Sequence, residues 1–189
     1  KIYYLSQAGE FMLNIKLDEA TFLESVKFHQ ENNIGMRGHA DGSKEEQLTG
    51  IIGQNIICLY LGKPFMIAEG FDGGVDITLN DTTIDIKTMG RNVYPKPDYV
   101  NNLIASQLKY DVGNYLFCSY HKKDKVLTIC GWIDKQGFKD KAEFYKEGMI
   151  RTRTNGTTLT NKADSYEIKN KDLNAIDNYK DLLNVGIVA

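Results

Sequence analysis

The residues best equipped for chemistry lie in one stretch, Asp76-Ile77-Thr78-Leu79-Asn80-Asp81-Thr82-Thr83-Ile84-Asp85-Ile86-Lys87. Apolar and polar residues alternate on both sides of Asn80-Asp81, the pattern of two half-buried strands joined by a turn. Val75, Ile77 and Leu79 fall on one face of the first strand, and Asp76 and Thr78 on the other. Ile84 and Ile86 share one face of the second strand, while Thr83, Asp85 and Lys87 share the opposite one. A two-residue turn at Asn80-Asp81 sets Leu79 against Thr82, and counting back sets Asp76 against Asp85. Cross-strand neighbours have Cβ atoms about 4.5–5.5 Å apart, where like charges are destabilising. A hard divalent cation offsets that repulsion, since Mg2+ takes oxygen ligands at about 2.0–2.1 Å and needs few carboxylates besides substrate phosphate. The chemistry suggested is metal-assisted phosphodiester hydrolysis.

Asp76, followed nine residues later by Asp85-Ile86-Lys87, resembles the PD-(D/E)XK motif of the restriction-endonuclease-like nucleases, with Val75 where the motif has proline. The resemblance covers about residues 45–135. It implies that Asp76, Asp85 and the backbone carbonyl of Ile86 bind Mg2+, with Mn2+ as a substitute. Lys87 would orient the attacking water or neutralise developing charge, and DNA would be the substrate. Cutting both strands of a duplex usually takes two active sites, which points to a homodimer. Members usually carry a glutamate on the first core helix, and in Gly50-Ile51-Ile52-Gly53-Gln54 that place is held by Gln54. Its amide could hold a metal-bound water, or Glu46 could take over the acidic role. The alternative is a catalytically degenerate nuclease-fold protein that binds nucleic acid or a partner protein without cleaving. A third class is an interaction protein whose acids bind only a stabilising cation.

The flanking elements must place this hairpin. Asp18 caps a helix with Phe22, Leu23 and Val26 inward. Arg37 to Ser43 forms a loop in which His39 is a polar residue with a possible phosphate contact. Ser43 caps a longer helix, with Glu46 completing a capping box and Leu48, Ile51, Ile52, Ile56, Leu59 and Tyr60 on its buried side. Phe65 to Ala68 begins the sheet, and Glu69 to Gly74 leads into the hairpin. Thr88 to Pro97 reads as a loop whose Arg91, Tyr94 and Lys96 could touch the DNA backbone. Asp98 caps a helix with the stripe Val100, Leu103, Ile104 and Leu108, and Gln107 could face the site. Asn114–Tyr120 and Lys125–Ile133 are two further strands, and a helix follows from Asp134. Arg151 to Thr158 is a hairpin around Asn155-Gly156 that aligns Arg151 and Arg153 for a nucleic-acid groove or its phosphates. A strand at Tyr166 to Ile168 and a closing helix around Leu173, Ile176, Tyr179, Leu182 and Leu183 end the chain.

The expected architecture is α/β, a restriction-endonuclease-like core with a mixed central sheet flanked by helices. Residues 1–146 form that core with an N-terminal helix, and residues 147–189 a C-terminal extension on the same domain. The 189 residues suit one domain, and 42% hydrophobic with 25% charged residues is ordinary for a globular chain. No apolar run reaches the 18 residues a membrane span needs, and Lys1 to Leu5 lacks a signal-peptide pattern. Cys58, Cys118 and Cys130 are scattered and odd in number, which argues for a reducing cytoplasm and against a zinc site or disulfide framework. The net charge is −2, yet residues 120–170 hold eleven Lys and Arg against seven Asp and Glu. That local excess of four leaves −6 for the rest, a division suited to a basic approach surface and an acidic cation pocket.

Overall fold

The computed structural model describes residues 3–4, 12–32, 42–64, 73–152 and 156–187. The expectations for His39, for the strand start at Phe65 to Ala68, for the lead-in from Glu69 to Asp72 and for Arg153 lie outside these residues. In chain order the elements begin β1 (Tyr3–Tyr4), β2 (Leu13–Lys16), α1 (Glu19–Glu31), α2 (Lys44–Tyr60), β3 (Ile77–Leu79) and β4 (Thr82–Arg91). Then come β5 (Val100–Ile104), β6 (Asn114–His121), β7 (Val126–Asp134), α3 (Lys135–Lys141) and β8 (Glu143–Tyr145). The chain closes with β9 (Ile150–Thr152), β10 (Thr158–Thr160), β11 (Ser165–Lys169) and α4 (Tyr179–Leu183).

The architecture is mixed α/β. A sheet of order β1-β2-β7-β6-β4-β3 packs against helices, and two smaller sheets, β5-β11-β8 and β9-β10, accompany it. β4 and β6 run parallel, and every other neighbouring pair in the large sheet is antiparallel. Two cores fill the two faces. Ile84 and Ile86 of β4 join Ile52, Ile56 and Ile57 of α2 in one. Tyr115, Phe117 and Ile133 join Phe138 of α3, Leu103 of β5 and Ile168 of β11 in the other. Successive residues of β4 therefore look into different layers.

The helix that flanks the candidate site starts as expected. The backbone N–H of Glu46 donates to Ser43 Oγ at 3.3 Å, and the Ser43 N–H donates to Glu46 Oε2 at 2.6 Å. Its seat on β4 depends on Gly53, where an added Cβ would lie 1.9 Å from Thr88 Oγ1 and 2.8 Å from Thr88 Cβ. Gly53→Ala must push α2 off the strand, and overpacking of this kind costs about 1–3 kcal/mol. Urea unfolding should show that loss; a change within 0.5 kcal/mol would contradict this packing.

Three expectations need correction. Residues 98–108 are not a helix: Val100–Ile104 is strand β5, followed by a 3-10 turn at Ala105–Lys109. The apolar spacing 100, 103, 104, 108 mimics a helix because one inward position of the strand is polar. Asn101, 1% exposed, is satisfied by donating its amide to Asn170 Oδ1 at 2.7 Å. The strand after Asp85 does not give way to a loop at Thr88; β4 runs to Arg91 because Ile84 to Arg91 pair without a break with Asn114 to His121. On α1, Leu23 is 55% exposed, and the buried positions are Thr21 and Ser25. There the contact with α2 is polar, with Asn55 Nδ2 donating to Ser25 Oγ at 2.8 Å. Two smaller differences follow. Leu13–Lys16, for which no element was expected, is a strand of the large sheet. The closing helix is one short segment, α4, although Ile176, Leu182 and Val185 do reach the main core. No helix among the described residues is long and apolar enough to cross a membrane.

Candidate active site

The turn between β3 and β4 has the geometry the sequence requires. Asn80 and Asp81 have φ of 51° and 58°, the left-handed pair of a type I′ turn, and Leu79 pairs with Thr82. The Asn80 amide donates to the carbonyl of Leu183 at 2.6 Å and anchors the turn on the end of α4. Pairing continues through Thr78 with Thr83 and Ile77 with Ile84.

One residue further the ladder changes. The N–H of Asp76 donates to the carbonyl of Ile84, already the partner of Ile77, at 3.0 Å. Two successive residues thus oppose one, which is a β-bulge, and bulges re-aim side chains. Asp76 does not stand squarely across from Asp85 as the counting implies. Its carboxylate turns along the edge of β4, where Oδ2 accepts the N–H of Ile86 at 2.7 Å. The side chain replaces the backbone acceptor that a longer β3 would have supplied. A strand residue directs its N–H and C=O to the same neighbour, so the Ile86 carbonyl faces this same edge.

Asp85 is 3% exposed, and its Oδ1 lies 2.8 Å from Lys87 Nζ. The two residues are two apart on one strand and share a face. Their β6 partners in the parallel register are Tyr115 and Phe117. Burial, with the charge of Asp85 as a second cause, pushes the Tyr115 phenol up to about 12. Tyr115 is a neighbour that sequence reasoning missed, because only the β4–β6 register reveals it.

Gln54 is 9% exposed on α2. It shares a stripe of the helix with Cys58, four residues on. The Cys58 thiol is pushed up to about 11 by burial and then by the charge of Asp76. α2 packs with Ile84 and Ile86, on the face of β4 opposite the one that carries Asp85 and Lys87, so the fold does not bring Gln54 beside that pair. Glu46 sits two turns earlier, about 12 Å along the axis. Its carboxyl is held below the usual range chiefly by the hydrogen bond from the Ser43 N–H. Glu46 acts as a cap.

The basic residues expected to touch nucleic acid are placed differently from one another. Arg91 donates from Nη2 to the Val100 carbonyl at 2.7 Å and lies over the Tyr99 ring at 5.1 Å, tying β4 to β5. Lys96 is exposed in the loop that follows. Arg151 turns inward: Nη1 and Nη2 reach Glu167 at 2.9 and 2.7 Å, and the guanidinium lies 3.7 Å over the Tyr145 ring. Breaking such a pair on one side leaves the other charge uncompensated. Arg151→Met should cost about 2–4 kcal/mol of stability in urea unfolding and leave nucleic-acid affinity unchanged at low temperature. Loss of affinity without loss of stability would assign Arg151 to the binding surface instead.

Asp76 thus lies along the edge of β4 beside the Ile86 backbone, and Asp85 with Lys87 lies on one face of the same strand. Among the described residues no three His, Cys, Asp or Glu side chains come together. A cation held here would complete its shell from the Ile86 carbonyl, water and substrate oxygen. Comparison of the chain with protein-family models, curated proteins and solved structures gives no match.

Proposed function

We propose that the chain is a Mg2+-dependent endonuclease that hydrolyses DNA phosphodiester bonds, built on the restriction-endonuclease-like plan. The observation that carries this reading is the buried Asp85 ion-paired to Lys87 at 2.8 Å, with Asp76 pinned by the Ile86 N–H one pleat away. A carboxylate and an ammonium held inside a sheet face cost desolvation. A reacting phosphate beside them is a reason to keep both.

The donor set suits the metal. Asp76, Asp85 and the Ile86 carbonyl offer oxygen alone, which favours a hard cation such as Mg2+ or Mn2+ over zinc or copper. When bound, that ion supplies Lewis-acid polarisation of the phosphodiester and a more acidic water. The chain does the rest. The Ile86 N–H fixes the rotamer of Asp76, so its charge is oriented before substrate arrives. Asp85 holds the Lys87 ammonium on the face where phosphate would lie, and the three N–H donors of Lys87 offset charge that grows on phosphate oxygen.

Gln54 favours a second reading, a nuclease fold that binds DNA without cutting it, because an amide stands at the helix position where the resemblance implies a third acid. Incubation of supercoiled plasmid with the protein separates the two. Nicked or linear product with Mg2+ or Mn2+ and none with EDTA supports the enzyme. Retarded but intact plasmid under all three conditions supports the binder.

A further inference from the structure

Beyond β4 the chain lays the Tyr94 ring flat on His121, with centroids 4.5 Å apart and planes 12° from parallel. The Tyr94 hydroxyl donates to Asp124 Oδ2 at 2.9 Å, and the Asp124 N–H donates to His121 Nδ1 at 3.2 Å. His121 is 6% exposed and ends β6, so the sheet fixes the ring on which Tyr94 rests. Tyr94 itself is 41% exposed. With one face on the imidazole, what remains open is the other face and the rim. A tyrosine anchored at both ring and hydroxyl has little freedom left to lose when something stacks on it.

Its position relates it to the candidate site. His121 pairs with Arg91 in the same parallel ladder that pairs Tyr115 with Asp85. Alternate residues of a strand share a face, so His121 lies on the face that carries Asp85 and Lys87. Along β4 the four steps from Lys87 to Arg91 span roughly 13 Å. Lys96 and Lys123 are exposed on the two loops that meet at Tyr94, and among the described residues neither has an ion-pair partner. The nearby Asp124 carboxylate is engaged by the Tyr94 hydroxyl.

We infer that the open face of Tyr94 stacks an unpaired nucleobase, with Lys96 and Lys123 on the adjoining phosphates. The substrate class that follows is DNA with a single-stranded stretch, because a base within a duplex offers no face to a side chain. This inference rests on the nuclease reading and deepens it. Aromatic stacking tolerates any base, and phosphate contacts make the binding salt-dependent.

The test is anisotropy of a labelled twelve-nucleotide thymidine strand and of a blunt duplex, both in EDTA so that nothing is cut. The inference expects tighter binding of the strand than of the duplex and about tenfold weaker strand binding by Tyr94→Ala. Tyr94→Phe, which keeps the ring, should bind the strand within twofold of wild type, and both variants should stay folded, with melting lowered by at most a few degrees. Equal affinity of Tyr94→Ala and wild type overturns the inference, as does a wild-type preference for the blunt duplex. The two readings fail separately: strand binding that needs Tyr94 but no cleavage with Mg2+ removes only the enzyme, and cleavage indifferent to Tyr94 removes only the platform.

Discussion

Asp85→Asn should lower the proposed Mg2+-dependent cleavage by about 10³-fold or more, equivalent to about 4 kcal/mol of lost transition-state stabilisation. The expectation follows from what the substitution keeps. Asparagine has the shape of aspartate and can still accept from Lys87, so the strand and its ion-pair geometry survive. What disappears is the negative charge in a position that is 3% exposed, where no solvent can make up for it. The protein should melt within a few degrees of wild type. Asp85→Ala is a poorer probe. It leaves the Lys87 ammonium, on a side chain 24% exposed, without its partner, and should cost about 1–3 kcal/mol in stability as well. Single-turnover cleavage of plasmid, with melting curves in parallel, checks both; undiminished cutting by Asp85→Asn would end the assignment.

Asp76 gives the second large effect, and here the two obvious substitutions part company. The Asp76 carboxylate accepts the Ile86 N–H at 2.7 Å, so removing it strips an acceptor from the middle of β4. Asp76→Ala should lose about 1–3 kcal/mol of stability together with cleavage. Asp76→Asn can present its amide oxygen to the same N–H and should stay folded, yet lack the charge that holds a cation. Cleavage should fall by at least about 10²-fold in Asp76→Asn with little change in denaturant midpoint. An active Asp76→Asn would make this residue a bulge anchor alone.

The sequence made the hairpin legible because its information is local. Asn80-Asp81 accept left-handed φ, and the alternation on either side has a single register that keeps Ile77 and Ile84 inward. The capping box at Ser43 and Glu46 and the strands at β6 and β7 were legible for the same reason. The bulge at Asp76 was not, because it depends on where β3 ends. That end is set by Gly73 and Gly74, both at positive φ, and by the packing of Gly74 on Tyr110. β5 was misread because Asn101, a buried polar residue, breaks the alternation, and its partner Asn170 is distant in sequence. The inward turn of Arg151 depends in the same way on Glu167 and Tyr145, which a hairpin considered alone does not reveal. Tyr115 beside Asp85 and His121 beneath Tyr94 both require the parallel register of β4 and β6, a long-range pairing that no short window contains.

Asp76, Asp85 and Lys87 are proposed to form one cation-dependent centre, and a calorimetric Mn2+ titration without DNA tests this most directly. Wild type should bind one ion, and Asp85→Asn should bind none over the same range. Lys87→Met should bind several-fold more tightly, because the ammonium that competes for Asp85 is gone, while failing to cleave. Identical titrations for wild type, Asp76→Asn and Asp85→Asn would contradict the account.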